Sequence, residues 1–225
     1  MSANHSLILF AGNMVSQLPS LFACFGYRTT GTVEIAKGLP QIWEYTNWPR
    51  RSRPYNVVHK AVLYNGTWTA VLDREMTMIL DQEKCTTCAS QFNIAIFGYM
   101  IESVSGTCAL YLYSPEKVRG LNIQNFEILE DFGDPLPQEV GITTEEMLAD
   151  GTMRISRRMG FSDSLFAHPT SKVLIVGMED PARTQTHKQS STSHKQSNTS
   201  THKQNKRAEI AQPVHRIEKP WWKLW

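Results

Sequence analysis

The sequence predicts an α+β fold with a mainly antiparallel, meander-like sheet of five to seven strands and two or three helices. Three observations support this fold class. Strand-like runs follow one another through short connections, an Asn-Gly pair separates two of these runs, and no phosphate-binding glycine motif appears. A parallel sheet would need long crossover helices, for which the connections leave no room.

The clearest local pattern is NVVHKAVLYNGTWTAVLD. Two runs rich in Val, Leu, Trp and Thr flank Asn65 and Gly66, and both residues tolerate the positive φ of a type I′ turn. The pattern therefore predicts an antiparallel hairpin formed by residues 57–64 and 67–73.

Other segments complete the predicted sheet. Strands are expected at residues 6–11, 93–104 and 107–113, and more strand sequence follows from 118 to 131. The proline-rich segments 43–56 and 132–141 are predicted to be loops.

The helix predictions depend on capping residues and apolar spacing. Asp81 can cap a short helix over residues 81–92. Thr143 and Glu146 form a capping box for a helix that begins near residue 144, is interrupted at Gly151 and continues to about Gly160. A further helix is possible over residues 14–25, apart from its proline.

Charge and composition divide the chain. Up to residue 182 there are 14 Lys and Arg against 19 Asp and Glu, a net charge of −5, whereas the remainder has 9 against 2, a net charge of +7. We therefore predict a domain at residues 1–178, a disordered low-complexity linker at 179–212, and a basic aromatic terminal segment at 213–225. A tail opposite in charge to the body indicates an anionic partner, such as nucleic acid, a membrane surface or the body itself.

Cysteine content and hydropathy indicate a cytoplasmic protein. Four cysteines are few for a disulfide-built secreted scaffold, and no run is long enough to form a transmembrane segment. Cys85 and Cys88 form a C-x-x-C pair, which is the candidate for a metal or redox site. Because they fall in the second turn of a predicted helix, core packing is the preferred interpretation, and no cofactor is expected.

Two further residue groups are candidates for function. The carboxylates Asp73, Glu75 and Glu130 are candidates for acid and base catalysis, although solvated surface charge is the more common role of such residues. Arginines and aromatic residues alternate in WPRRSRPY and could hold phosphates and stack bases. The arginines concerned are Arg50, Arg51 and Arg53.

The chain ends in KPWWKLW, which places three of its six tryptophans at Trp221, Trp222 and Trp225. Pro220 prevents a continuous amphipathic helix there. The segment is a candidate anchor for an anionic membrane surface, for a partner protein or for the acidic body, and the alternative is an extension without a role.

The stretches WTAVLDREM, FGYMIESVSGT and FGDPLPQE carry a resemblance to uncharacterised bacterial proteins of similar layout, over about residues 55–160. The resemblance implies no activity.

Three hypotheses follow from the sequence: a non-catalytic intracellular module that binds another protein, a small hydrolase or transferase with an acid-rich cleft, and a nucleic-acid-binding protein. The first is preferred because no catalytic motif is present, and whether the protein is an enzyme stays open.

Overall fold

The computed structural model describes residues 4–36, 38–46, 56–102 and 104–181. This part of the chain forms one sheet of nine strands, and all their pairings are antiparallel. The strands are β1 Asn4–Ala11, β2 Arg28–Ala36, β3 Val57–Tyr64, β4 Trp68–Leu72, β5 Ile96–Glu102, β6 Thr107–Tyr113, β7 Val118–Gln124, β8 Glu127–Phe132 and β9 Val173–Glu179. The predicted α+β class and antiparallel sheet are confirmed, but the predicted five to seven strands are too few.

The strand order is β2-β9-β3-β4-β1-β5-β6-β7-β8. The β3–β4 hairpin and the β5 to β8 meander are as predicted. The prediction missed β2 and β9, which pair with each other and join the sheet through β3. These pairings link residues more than a hundred positions apart, so no local hairpin motif predicts them.

The turn of the β3–β4 hairpin differs from the predicted type I′ turn. Gly66 has a φ of +98°, but Asn65 is not among the residues with positive φ. The Asn65 side chain instead accepts hydrogen bonds from the backbone N–H groups of Thr67 and Trp68, at 3.0 and 2.8 Å. The turn therefore needs only one left-handed residue, and the asparagine stabilises it through its side chain.

Helices lie at α1 Leu18–Cys24, α2 Gly38–Thr46, α3 Gln82–Phe92, α4 Thr144–Glu146 and α5 Thr152–Arg158. A π-helical turn, Met147–Gly151, joins α4 to α5 without a break. Apart from short 3-10 turns, the described residues therefore contain four separate α-helices, where the sequence predicts two or three. Gly151 does not interrupt the last of them, and the helix α2 overlaps the start of the segment predicted as a loop at 43–56.

Both predicted caps are present. The Asp81 side chain accepts a hydrogen bond from the backbone N–H of Lys84 at 3.1 Å. The Thr143 hydroxyl accepts from the Glu146 N–H at 3.3 Å, and the Glu146 carboxylate accepts in return from the Thr143 N–H at 2.8 Å. These bonds satisfy donors that a helix start otherwise leaves unpaired.

The sheet is covered on both faces. The first face carries Leu9 and Leu110, which belong to one core with Ile42 of α2 and Ile155 of α5. The second face is covered by α1, α3 and the segment between β4 and α3. Every residue of the central strands β5 and β6 is buried as a result.

The strand β9 ends at Glu179, one residue inside the predicted linker. The Glu179 carboxylate accepts hydrogen bonds from Arg28 Nε at 3.1 Å and from Asn56 Nδ2 at 2.8 Å. The predicted terminal segment 213–225, and the linker from residue 182 onward, lie outside the described residues.

Candidate functional site

The strand β8 is an edge of the sheet, since within the described residues it pairs only with β7. A register irregularity, in which Leu129 has no partner on β7, interrupts this pairing. Ile128 and Leu129 are about half exposed, at 51% and 54%. An edge strand with free backbone groups and exposed apolar side chains can pair with another chain.

A cavity of about 270 Å³ opens beside β8 on the first face of the sheet. The turn after β8 and the start of α4 close its other side. Its apolar walls are formed by Leu121, Ile128, Leu136, Val140, Ile142 and Met147. Val140 is 74% exposed, so the cavity has an apolar rim.

A cluster of charges forms the floor of this cavity. Arg119 Nε and Nη2 bind the two oxygens of Glu139 at 3.0 and 2.9 Å. Arg119 Nη1 donates to Asp131 Oδ1 and to the carbonyls of Gly120 and Phe132, at 2.8 and 3.0 Å for the carbonyls. The hydrogen bonds that the Glu139 carboxylate accepts raise the pKa of Arg119 above its usual value. The cluster contains one cation and two carboxylates, so its net charge is −1.

Local sequence explains why these groups meet. Gly133 has a φ of +71°, and a Cβ there would lie 2.1 Å from the Val118 carbonyl oxygen, so only glycine allows the chain to leave β8 this way. Glu139 then reaches back, and its Oε1 also accepts the Leu136 N–H at 2.9 Å. The turn and the Arg119 pair therefore support each other.

The chain segment that forms β8 and most of the cavity wall is acidic in sequence, and the one arginine that reaches this wall from α5 is Arg158, whose Nη1 donates to the Val140 carbonyl at 2.8 Å among the described residues. Residues 120–153 contain eight acidic residues and no Lys, Arg or His. The acidic residues are Glu127, Glu130, Asp131, Asp134, Glu139, Glu145, Glu146 and Asp150. The Asp131 side chain is 54% exposed, whereas the Arg119 side chain is only 3% exposed. Solvent and any bound group therefore meet carboxylate more than guanidinium.

Two of the predicted catalytic carboxylates lie elsewhere, in a buried ion cluster at the end of β4. Lys60 donates hydrogen bonds to both Asp73 and Glu75. The side chains of Lys60 and Asp73 are fully buried, and Asp73 Oδ2 also accepts the Met78 N–H at 2.8 Å. Burial lowers the pKa of Lys60, but the two carboxylates outweigh this and raise it. The geometry describes a charged network whose groups already have partners.

Glu130, the third predicted catalytic carboxylate, lies apart from Asp73 and Glu75. It lies on β8, which is five strand positions away from β4, or about 24 Å at the usual strand spacing. Its carboxylate accepts a hydrogen bond from the Tyr111 hydroxyl at 2.8 Å. The structure brings Asp73 and Glu75 together and leaves Glu130 with a different partner.

The two cysteines of the C-x-x-C pair have different neighbours. Cys85 Sγ donates to the Met78 carbonyl at 3.3 Å, whereas Cys88 lies beside Cys24 of α1. Burial raises the pKa of both Cys85 and Cys88. Among the described residues, no group of three or more His, Cys, Asp or Glu side chains could hold a metal ion.

Other predicted binding residues lie outside the described residues. They are Arg50, Arg51, Arg53, Trp221, Trp222 and Trp225.

Sequence reasoning missed Arg119, Glu139 and Ile128. A usable signal was present, since the acidic run without basic residues spans β8 and the following turn. The sequence predicts a strand here, but the segment itself does not specify that this strand lies at the edge of the sheet, which depends on the order of the other strands.

No family model, curated protein or solved structure matches the chain. In the described part, no helix is both long enough and apolar enough to cross a bilayer.

Proposed function

We propose that this protein is a peptide-binding module that recognises an extended, basic segment of another protein by adding it as a strand to β8. The observation that carries the proposal is the position of β8. It is a sheet edge with half-exposed Ile128 and Leu129, and it runs beside a cavity with apolar walls and a charged floor. In strand addition, backbone hydrogen bonds supply affinity and pockets for alternate side chains supply specificity.

Charge determines the chemistry of the partner. Glu127, Glu130 and Asp131 lie along the edge within six residues, and no basic residue lies within the 34-residue acidic run. A basic segment is attracted to this surface, and an acidic one is repelled. The same charges disfavour a second copy, because pairing β8 with β8 would bring carboxylates against carboxylates.

The test uses the heptapeptide acetyl-TVTKTVT-amide, whose valines and central lysine share one face when it is extended. Binding is followed by 15N–1H NMR titration of the full chain, which assigns the contact to individual amides. Two control peptides carry the same side chains with N-methyl groups on the odd or the even residues. One of them should bind at least tenfold more weakly, because it loses several ladder hydrogen bonds worth about 0.5–1.5 kcal/mol each.

A matched pair of protein variants localises the site. Leu129→Lys puts a charge on the β8 edge, whereas Ile35→Lys makes a similar change at an exposed residue of the opposite edge strand, β2. Only the first should weaken binding. The proposal fails if the peptide shifts no amide of β8 at millimolar concentration, or if both methylated peptides bind like the parent. A dimer that Leu129→Lys dissociates would assign the edge to a second copy and would also overturn it.

A further inference from the structure

Within this proposed function, the geometry points to a specific role for the cavity: it binds the side chain of a lysine in the added strand, with the ammonium group at Asp131. The aliphatic stem would lie against Ile128, Leu136 and Met147, and the charged end would meet the floor of the cavity. Lysine combines these two properties, because its four methylene groups pack on apolar surface while its ammonium group stays at a polar end.

Register places Asp131 and Ile128 on the same side of β8. Asp131 pairs with Leu121 and Ile128 pairs with Ile123, and both partners belong to the core on the first face. A strand added beside β8 points every second side chain to this face. One side chain of the added strand can therefore enter the cavity, while the side chains two residues before and two residues after it contact the rim.

The hydrogen bonds already made at the floor of the cavity favour an ammonium group over an apolar or an acidic group. Four of the five N–H groups of Arg119 have partners, because Glu139 accepts from Nε and Nη2, and Asp131 and two backbone carbonyls accept from Nη1. Arg119 offers little to an incoming carboxylate. Asp131 uses Oδ1 for Arg119, and no other partner of its carboxylate is recorded among the described residues.

Lysine fits this floor better than arginine. A guanidinium is a rigid fork that binds best to two carboxylate oxygens at once, and Arg119 already uses Oδ1 of Asp131. An ammonium is a compact charge that needs one strong acceptor. We therefore expect the order of affinity lysine, then arginine, then norleucine at the central position of the heptapeptide.

The experiment is a double-mutant cycle by NMR titration. The central lysine of acetyl-TVTKTVT-amide is replaced with norleucine, which keeps four carbons and removes the charge, and Asp131 is replaced in Asp131→Asn. Because a hydrogen bond to a charged group is worth about 1.5–3 kcal/mol, norleucine should bind wild type about tenfold more weakly. Lysine and norleucine should bind Asp131→Asn nearly equally.

Asp134→Asn is the matched control. It removes the same charge three residues away, at an exposed side chain that does not line the cavity. It should keep the tenfold preference for lysine.

Failure of this inference is distinct from failure of the proposed function. If norleucine binds wild type as well as lysine, while one N-methylated peptide still binds at least tenfold more weakly than its parent, strand addition stands and the lysine site is wrong. If Asp134→Asn removes the preference as completely as Asp131→Asn, the attraction is a general effect of charge, and the assignment to Asp131 is overturned. Tighter binding of the arginine peptide would also overturn it.

Discussion

Lys60 and Asp73 form an ion pair between β3 and the end of β4 in which neither side chain is exposed to solvent. Glu75 is the second carboxylate on the same ammonium. A buried charge that loses its partner stays in a low-dielectric environment without compensation. Removal of the Lys60 ammonium is therefore expected to lower the free energy of unfolding strongly.

Lys60→Met should lower the free energy of unfolding by about 3–5 kcal/mol, because it leaves Asp73 buried without its cation. Chemical denaturation followed by circular dichroism measures this loss. The control is Lys84→Met, which removes an ammonium 2.7 Å from Asp81 at a side chain that is 46% exposed. That change should cost about 1 kcal/mol or less. Similar losses for the two variants would contradict the assignment of Lys60 as a buried, paired cation.

The thiols should differ in reactivity. Cys85, Cys88 and Cys108 are buried, and burial raises the pKa of all three, that of Cys108 to about 12. Cys24 is partly exposed. Since the thiolate is the reactive form, a disulfide reagent at pH 8 should label one thiol rapidly in the native protein and all four after unfolding.

Cys24→Ser should remove the rapid phase, and Cys85→Ser should leave it unchanged. Rapid labelling of Cys85 and Cys88 would contradict their buried placement and revive the redox interpretation of the C-x-x-C pair.

The fold could be predicted where the signals are local. The β3–β4 hairpin and the Asp81 and Thr143 caps depend on residues within a few positions of each other. The strand β9 could not be placed in this way, because it enters the sheet between β2 and β3 through pairings such as Ala61 with Ile175. Its own sequence, VLIVGME, does not specify a partner strand.

The candidate site was less predictable for a related reason. A carboxylate pattern shows where charges are, but not which cation meets them, so Asp73 could not be connected with Lys60 or Asp131 with Arg119 from spacing alone. Whether β8 is an edge depends on the order of all nine strands. The acidic run was visible in the sequence, and its position on an edge was not.

Gly98 should be intolerant of a side chain. A Cβ at this position of β5 would lie 2.4 Å from Ile79 Cδ1 and 2.5 Å from Cγ1, and Ile79 is fully buried. Gly98→Ala should therefore lower the free energy of unfolding by about 1–3 kcal/mol through overpacking. Thermal unfolding compares the two single variants, Gly98→Ala and Ile79→Ala, with the double variant. The double variant should be more stable than the sum of the two single losses predicts. Additive losses would show that the two residues do not meet.

His5 gives a prediction for pH dependence. Burial lowers the pKa of His5 from 6.5, Asp163 partly opposes this shift, and Arg74 adds to it. Below pH 6.5 the unfolded chain therefore binds a proton that the folded protein resists, so His5 makes stability fall as the pH decreases from 6.5 toward the lowered value. His5→Gln cannot take up this proton. Its free energy of unfolding, measured by urea denaturation from pH 7.5 to pH 5, should decline less steeply than that of wild type. Equal slopes, or a steeper decline in the variant, would show that His5 is not held in its neutral form by the fold.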